Sequence, residues 1–211
     1  ANEVVWYQKE NFLKAIGNVV LTSADGSRIT AAEMEYDGNT EREKKKKNVV
    51  LTDPKQTIKT ETLYYDKIPN TAYFNTGGTI YSNDGSVMYT KSATYNLNSK
   101  MIDFVGRSNI ETDKYTIVSD NIKQNQNTGV SDFFGPTTIR DKKNPINYVY
   151  TEQGSYNSKT GESFLNKNSR IHNNGKILTG DKLYFNRNTG FGKGTGNVML
   201  DATVNAFNYG C

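Results

Sequence analysis

Histidine and cysteine are the side chains most readily enlisted for catalysis or metal binding, and this chain holds one of each. His172 stands in the polar stretch Arg170-Ile171-His172-Asn173, which reads as surface, and Cys211 is the final residue, so no internal disulfide can form. A catalytic triad needs a nucleophile and a base within reach of each other, and no nucleophile elbow accompanies the histidine. Zinc needs several His or Cys ligands, which the chain lacks. Gly190, Gly192, Gly194 and Gly196 suggest a phosphate cradle, but that chemistry requires a strand before it and a helix after it. The residues that follow, Gly196-Asn197-Val198-Met199-Leu200, repeat a strand motif found upstream, so the glycines read as a flexible turn. Carboxylates are plentiful, yet no pair stands out for glycosidase chemistry. The chain reads as non-enzymatic, with no cofactor and no metal implied.

Two charged or polar sets remain. Asp37, Asp66, Asn96, Asn125, Asn157 and Asn186 recur at a fixed period, as calcium ligands can. Four of the six are amides and no second carboxylate column flanks them, so they read as turn formers. Glu41-Arg42-Glu43-Lys44-Lys45-Lys46-Lys47 reads as a solvated loop, with a phosphate-binding rim as the alternative. A nucleic-acid patch is disfavoured because no aromatic interleaving or recognition module accompanies the lysines.

The elements that carry these residues follow from a repeat. Tyr36, Tyr65, Tyr95, Gln124, Tyr156 and Phe185 are spaced by 29, 30, 29, 32 and 29 residues. Seven residues before each marker stand Ile29, Ile58, Met88, Ile117, Val149 and Leu178, all apolar. Five before stand the small residues Ala31, Thr60, Thr90, Ser119, Thr151 and Gly180, and two before stand Met34, Leu63, Ala93, Ile122, Gly154 and Leu183. A second series, Leu21, Leu51, Ile80, Ile110, Ile139, Ile171 and Leu200, keeps the same period and lengthens in the same unit. Matching chemistry at one period marks a repeat protein.

Parity inside the unit predicts its shape. The first two columns alternate as a strand does, and so do the last two, but the pairs are out of phase across a polar dipeptide such as Ala32-Glu33 or Asp120-Asn121. A bulge at the dipeptide returns both pairs to one side. Each repeat is then an arm through the Leu21-type residue, a polar turn (Asp25-Gly26 and Asp84-Gly85 being hairpin signals), and an arm through the tyrosine.

Composition agrees. Apolar residues make up 35%, with 14 Tyr and 9 Phe, thin for a globular core but enough for stacked strands around a narrow interior. The net charge of +4 fits an anionic partner without demanding one. No apolar run is long enough for a membrane helix and no signal peptide is present, which reads as either a cytosolic protein or a mature or trimmed chain, the abrupt ends favouring the latter. The expectation is an all-β fold of about six hairpin repeats over 17–196, an opening strand over 1–16 with Trp6 capping the first rung, and a partial repeat over 197–211, all in one domain.

Gly17 to Leu21, Ile29 to Thr40, Asn48 to Leu51, Ile58 to Asp66, Leu183 to Thr189 and Gly196 to Leu200 together resemble the OstA/LptA-like lipopolysaccharide-transport family. The resemblance covers nearly the whole chain and departs from the pattern at the lysine run and at Gln124, where the aromatic is lost. It implies an elongated, twisted β-jellyroll open along one side, and a periplasmic protein that shields acyl chains of lipopolysaccharide or a related lipid in an apolar trough between the inner and outer membranes. It also implies partner modules, or further copies of the chain, joined through edge strands at the ends. The residues expected to line the trough are Ile29, Ile58, Met88, Ile117, Val149 and Leu178, then Met34, Leu63, Ile122 and Leu183. Tyr36, Tyr65, Tyr95 and Phe185 join them, with Leu21, Leu51, Ile80, Ile110, Ile139 and Ile171. The alternative is a structural or adhesive β-solenoid, closed inside and binding through its outer face, since every solenoid needs an apolar interior.

Overall fold

Left-handed backbone at one short motif sets the shape of every rung. A computed structural model of the chain describes residues 1–24 and 26–202; Asp25 of the first hairpin signal, and 203–211 with Cys211, lie outside the described residues. The chain divides into two compact units, Ala1–Ile110 and Glu111–Cys211. The first carries β1 (Glu3–Tyr7), β2 (Phe12–Thr22), β3 (Arg28–Asp37), β4 (Arg42–Thr52), β5 (Gln56–Asp66), β6 (Thr71–Phe74), β7 (Gly78–Ser82), β8 (Val87–Thr90), β9 (Ser92–Asn96) and β10 (Met101–Glu111). The second carries β11 (Tyr115–Asn125), β12 (Val130–Asp141), β13 (Tyr148–Asn157), β14 (Glu162–Lys167) and β15 (Ser169–Asn173). It continues through β16 (Lys176–Gly180), β17 (Lys182–Asn186), β18 (Phe191–Thr195) and β19 (Met199–Ala202). No helix occurs among the described residues, and neighbouring passes run antiparallel.

The predicted bulge is present at the polar dipeptide. Register slips between Thr30 and Glu33 where β3 meets β4, and between Ser119 and Ile122 where β11 meets β12. Elsewhere the pass breaks into two strands, as at Lys91 between β8 and β9 or Asp181 between β16 and β17. The facing strand makes the corner with left-handed residues: Gly17 at φ 72° with Asn18 at 49° in β2, and Lys47 at 64° with Asn48 at 53° in β4. Glycine and asparagine adopt that conformation most cheaply, which is why the motif before each Val-x-Leu run begins Gly-Asn or Asn. The bend brings the halves of each strand together. In the first unit Val19 and Leu21 beyond the corner pack with Ala15, Met34 and Tyr36 before it. In the second, Ile171, Val149 and Leu178 pack on Leu165, Leu183 and Phe185.

The small column has a chemistry of its own. Thr90 and Ser108, Ser119 and Thr137, and Thr151 and Ser169 are buried neighbours across adjacent strands, with hydroxyl oxygens 2.9, 2.8 and 2.9 Å apart. Each pair also donates to carbonyls the bulge frees, as when the Thr151 hydroxyl reaches Gln153 O at 2.7 Å. A buried carbonyl left without a donor is costly, so these hydroxyls stabilise the bend as well as leaving room. Thr151→Val should therefore cost about 1–3 kcal/mol in urea unfolding, because the Ser169 hydroxyl and the bulge carbonyls lose a partner at constant volume.

The turns follow the Asx reading at five of the six positions, while Asp66 pairs with Arg42 at 3.0 Å instead. Asp37, Asn96, Asn125, Asn157 and Asn186 accept from the backbone N–H two residues on, at 2.9 to 3.0 Å. These oxygens are spent on closing turns. Successive turns also stack: Gly38 N donates to Asn11 O, Leu97 N to Asn70 O, and Ser158 N to Gly129 O.

Three sequence readings need correction. The lysine run is not a loop but the first half of β4, held in alternation. Lys46 pairs with Glu35, Lys47 with Glu33, and Lys44 lies over the Tyr64 ring on one face, while Glu43 and Lys45 point to the other. Cross-strand glutamates supply the compensation that the run alone does not show. His172 is buried rather than at the surface, with Nδ1 against Ile146 O and its ring stacked on Tyr148 at 5.5 Å. Of the four glycines from 190 to 196, Gly192 and Gly194 lie not in a flexible turn but in β18, which pairs with β17 from Asn186↔Phe191 to Lys182↔Thr195; Gly190 closes the turn before that strand and Gly196 stands at the bend after it.

Candidate functional site

Because the corner restores phase, the predicted columns become rows running across the strands. Leu21, Ile29, Leu51, Ile58, Ile80 and Met88 are consecutive cross-strand partners in the first unit. In the second, Ile117, Ile139, Val149, Ile171 and Leu178 continue in the same way to Leu200. Tyr36 and Tyr65 flank Glu43 in another row, and Tyr95 lies between Ala72 and Ile102. Met34, Leu63, Ile122 and Leu183, beside the corner, are buried, as are Ile80 and Ile171. Nearer the free ends of the arms, Leu21, Ile29, Leu51, Ile58, Met88, Ile110, Ile117, Ile139, Val149, Leu178, Tyr36, Tyr65, Tyr95 and Phe185 are half-buried. Burial thus declines from corner to mouth.

The two units differ in what occupies the interior. In the second, a cavity of about 170 Å³ lies between the arms, walled by Ile117, Ile139, Val149, Ile171 and Phe185. Tyr115, Tyr156 and Arg187 stand at its polar end, together with His172 and Asn147. The Arg187 guanidinium sits 5.1 Å from the Tyr156 ring centre and 6.0 Å from that of Tyr115. The Tyr156 hydroxyl is buried without a protein hydrogen-bond partner, and burial holds its pKa above the ordinary tyrosine value.

In the first unit an ion pair interrupts the rows. Lys45 lies between Met34 and Leu63 with its side chain 1% exposed, and its ammonium bonds to Glu43. Burial pulls the Lys45 pKa below its ordinary value, against the bond to Glu43, which pushes it up. The Lys67 ammonium stands 3.7 Å from the other Glu43 oxygen and 4.6 Å from the Tyr36 ring centre. Sequence reasoning missed this pair although a signal existed: counted across the predicted hairpin, Glu43 and Lys45 fall opposite Tyr36 and Met34. No comparable signal marks Arg187, which follows one of the turn asparagines.

Gly154, the glycine in a column of apolar residues, is explained by backbone crowding. A Cβ there would meet Phe164 O at 2.6 Å and Leu165 Cα at 3.3 Å.

Residues 1–120 match the family model described as OstA-like protein. The chain belongs to the OstA-like protein family. No curated protein matches this OstA-like chain. Among solved structures it is similar to LptH of Pseudomonas aeruginosa, described as the LptA-homologous periplasmic component of a lipopolysaccharide transport device. That likeness has 13% identity and a TM-score of 0.43, covering 48% of this chain and 76% of that one. It is also similar to the TCP10 domain of Danio rerio CPAP, solved with a STIL peptide, at 12% identity and a TM-score of 0.14, covering 74% of this chain and 94% of that one. At such TM-scores neither likeness assigns a ligand.

Proposed function

We propose that this OstA-like chain is a periplasmic lipid carrier, not an enzyme, that shields acyl chains of lipopolysaccharide or a related acylated lipid on their way between the inner and outer membranes. The observation that supports it is the apolar cavity between the arms of the second unit, walled by the residues at the predicted positions. Family membership supports the same reading through the transport role that the sequence resemblance implies. Burying about six methylenes there would contribute roughly 5 kcal/mol before ordering costs. A ligand held no more tightly than roughly the hundred-micromolar range is released readily, as transfer requires.

Docking to neighbours follows from the flanks. Val4 and Trp6 on β1 face Ala15 and Leu13, extending the inner rows, yet they are exposed. Leu200 on β19 extends the row through Leu178 and is exposed as well. A bridge module of the same fold, or a second copy, would cover such residues by adding a strand.

The rival closed solenoid is favoured by the Lys45–Glu43 pair, which places a buried ion pair in an inner row of the first unit between Met34 and Leu63. Uptake of a fluorescent fatty-acyl probe, displaced by lipopolysaccharide, separates the two. The carrier should bind the probe, and Ile139→Asp, which places a charge in the cavity wall, should weaken binding by at least about tenfold. A photocrosslinking residue at Phe185 should capture lipopolysaccharide, whereas one at the outward, exposed Phe164 should not. No probe uptake by the wild-type chain would leave the closed solenoid standing.

A further inference from the structure

The cavity of the second unit is small, and a guanidinium stands at its opening. At about 170 Å³ it is close to the apolar cavities of about 150 Å³ that accommodate one benzene-sized group, so it admits roughly six carbons of one chain rather than a bundle of chains. Arg187 is anchored by its own N–H to Gly161 O at 3.0 Å, which fixes the turn that carries it. Its guanidinium lies between Tyr115 on one arm and Tyr156 on the other, and no carboxylate pairs with it among the described residues. The acid nearest by lining, Asp141, is occupied: its Oδ1 accepts from the N–H groups of Lys143 and Asn144. Glu162 accepts from the Tyr184 hydroxyl at 3.0 Å. At the same end of the cavity the Tyr156 hydroxyl is a buried donor without a protein hydrogen-bond partner, and it stays protonated at neutral pH.

We propose that this cavity takes a single acyl chain whose anionic head is held at the opening by the Arg187 guanidinium and the Tyr156 hydroxyl. The inference rests on the lipid-carrier reading and narrows it to one chain and one kind of head. A guanidinium presents its donors as a planar fork that matches carboxylate or phosphate oxygens, and the two flanking rings hold it in place. A neutral head would meet the same fork without the ion pair and without a second oxygen to match it.

Calorimetric titration of the full chain with decanoate, decyl phosphate and 1-decanol tests it, with acetate and inorganic phosphate as heads without chains. Both anionic amphiphiles should bind roughly tenfold more tightly than 1-decanol, the scale expected for hydrogen bonds to a charged group. Arg187→Gln should bring them down to the level of 1-decanol, Arg187→Lys should keep part of the difference, and Tyr156→Phe should weaken the anions alone by a few-fold. Arg187 is exposed, so the melting temperature of these Arg187 variants should match that of the wild type. Equal affinity for all three amphiphiles, or no response to Arg187→Gln, overturns the head assignment while the carrier reading stands. Binding of acetate or phosphate as tight as that of the amphiphiles overturns the single-chain site. If none of the three amphiphiles binds, the carrier reading fails and this proposal with it.

Discussion

Glu43→Ala should destabilise the protein by about 3–5 kcal/mol, read from urea or guanidinium unfolding. Lys45 is enclosed by Met34 and Leu63, and its ammonium has the Glu43 carboxylate as its ionic partner, with the Tyr65 ring centre 5.6 Å away. Removing the carboxylate leaves a cation in an apolar row, where it must either lose its proton or drag water inward. The double variant Glu43→Leu with Lys45→Met behaves differently, because it removes both charges and keeps the volume. It should be neutral, or more stable than the wild type by about 1–4 kcal/mol. A pH series adds a check on sign. The Lys45 pKa in the folded protein lies below the ordinary 10.5, so between that lowered value and 10.5 the unfolded chain holds more protons. The burial penalty is therefore full below the lowered pKa and fades as pH rises toward 10.5. Measured against the double variant, wild-type stability should climb with pH through that window, and Glu43→Ala should shift the climb to lower pH. A loss below about 1 kcal/mol for Glu43→Ala would mean that the ammonium is not enclosed.

Leu165→Ala should cost about 2–5 kcal/mol, with the cost set by how far the cluster collapses into the space left. Leu165 is 1% exposed and packs with Ile171 and Leu183, backed by Val149, Leu178 and Phe185. Ile171, Val149 and Phe185 also wall the cavity, so the deletion does more than weaken the fold. If the neighbours hold their places, the cavity deepens and admits a longer stretch of hydrocarbon. Thermal unfolding with and without decanoate should then show a larger ligand-induced rise in melting temperature for the variant than for the wild type, by mass action on a tighter site. Equal rises would mean that the cluster has closed over the gap.

The Lys45–Glu43 pair bears on function as well as stability. A hydrocarbon chain occupying the first unit, as proposed for the second, would have to lie beside a buried charge pair. The double variant removes that charge, so an increase in the number of fatty-acyl probes bound per chain would identify the pair as a barrier to hydrocarbon in the first unit.

Strand identity, the bend and the inner rows were legible in the amino-acid order, because they depend on local rules. Side-chain parity switches phase at Ala32-Glu33 and Asp120-Asn121, and only a bulge reconciles the two halves. Asp37, Asn96, Asn125, Asn157 and Asn186 close their own turns within three residues. Family membership was legible for the same reason, since the repeated motif is made of corner, row and turn residues. What tertiary structure alone decided is who stands across from whom. The lysine run looks solvated until Glu33 and Glu35 arrive from β3 to pair with Lys47 and Lys46, and Glu43 and Lys45 turn inward. His172 looks polar until Tyr148 and Ile146 cover it, and Gly154 looks like a gap until the Phe164 carbonyl fills the place of its side chain. The cavity itself depends on the distance between two arms and on Arg187 reaching across it. Such distances are set by packing between residues far apart in the chain, which no periodicity encodes.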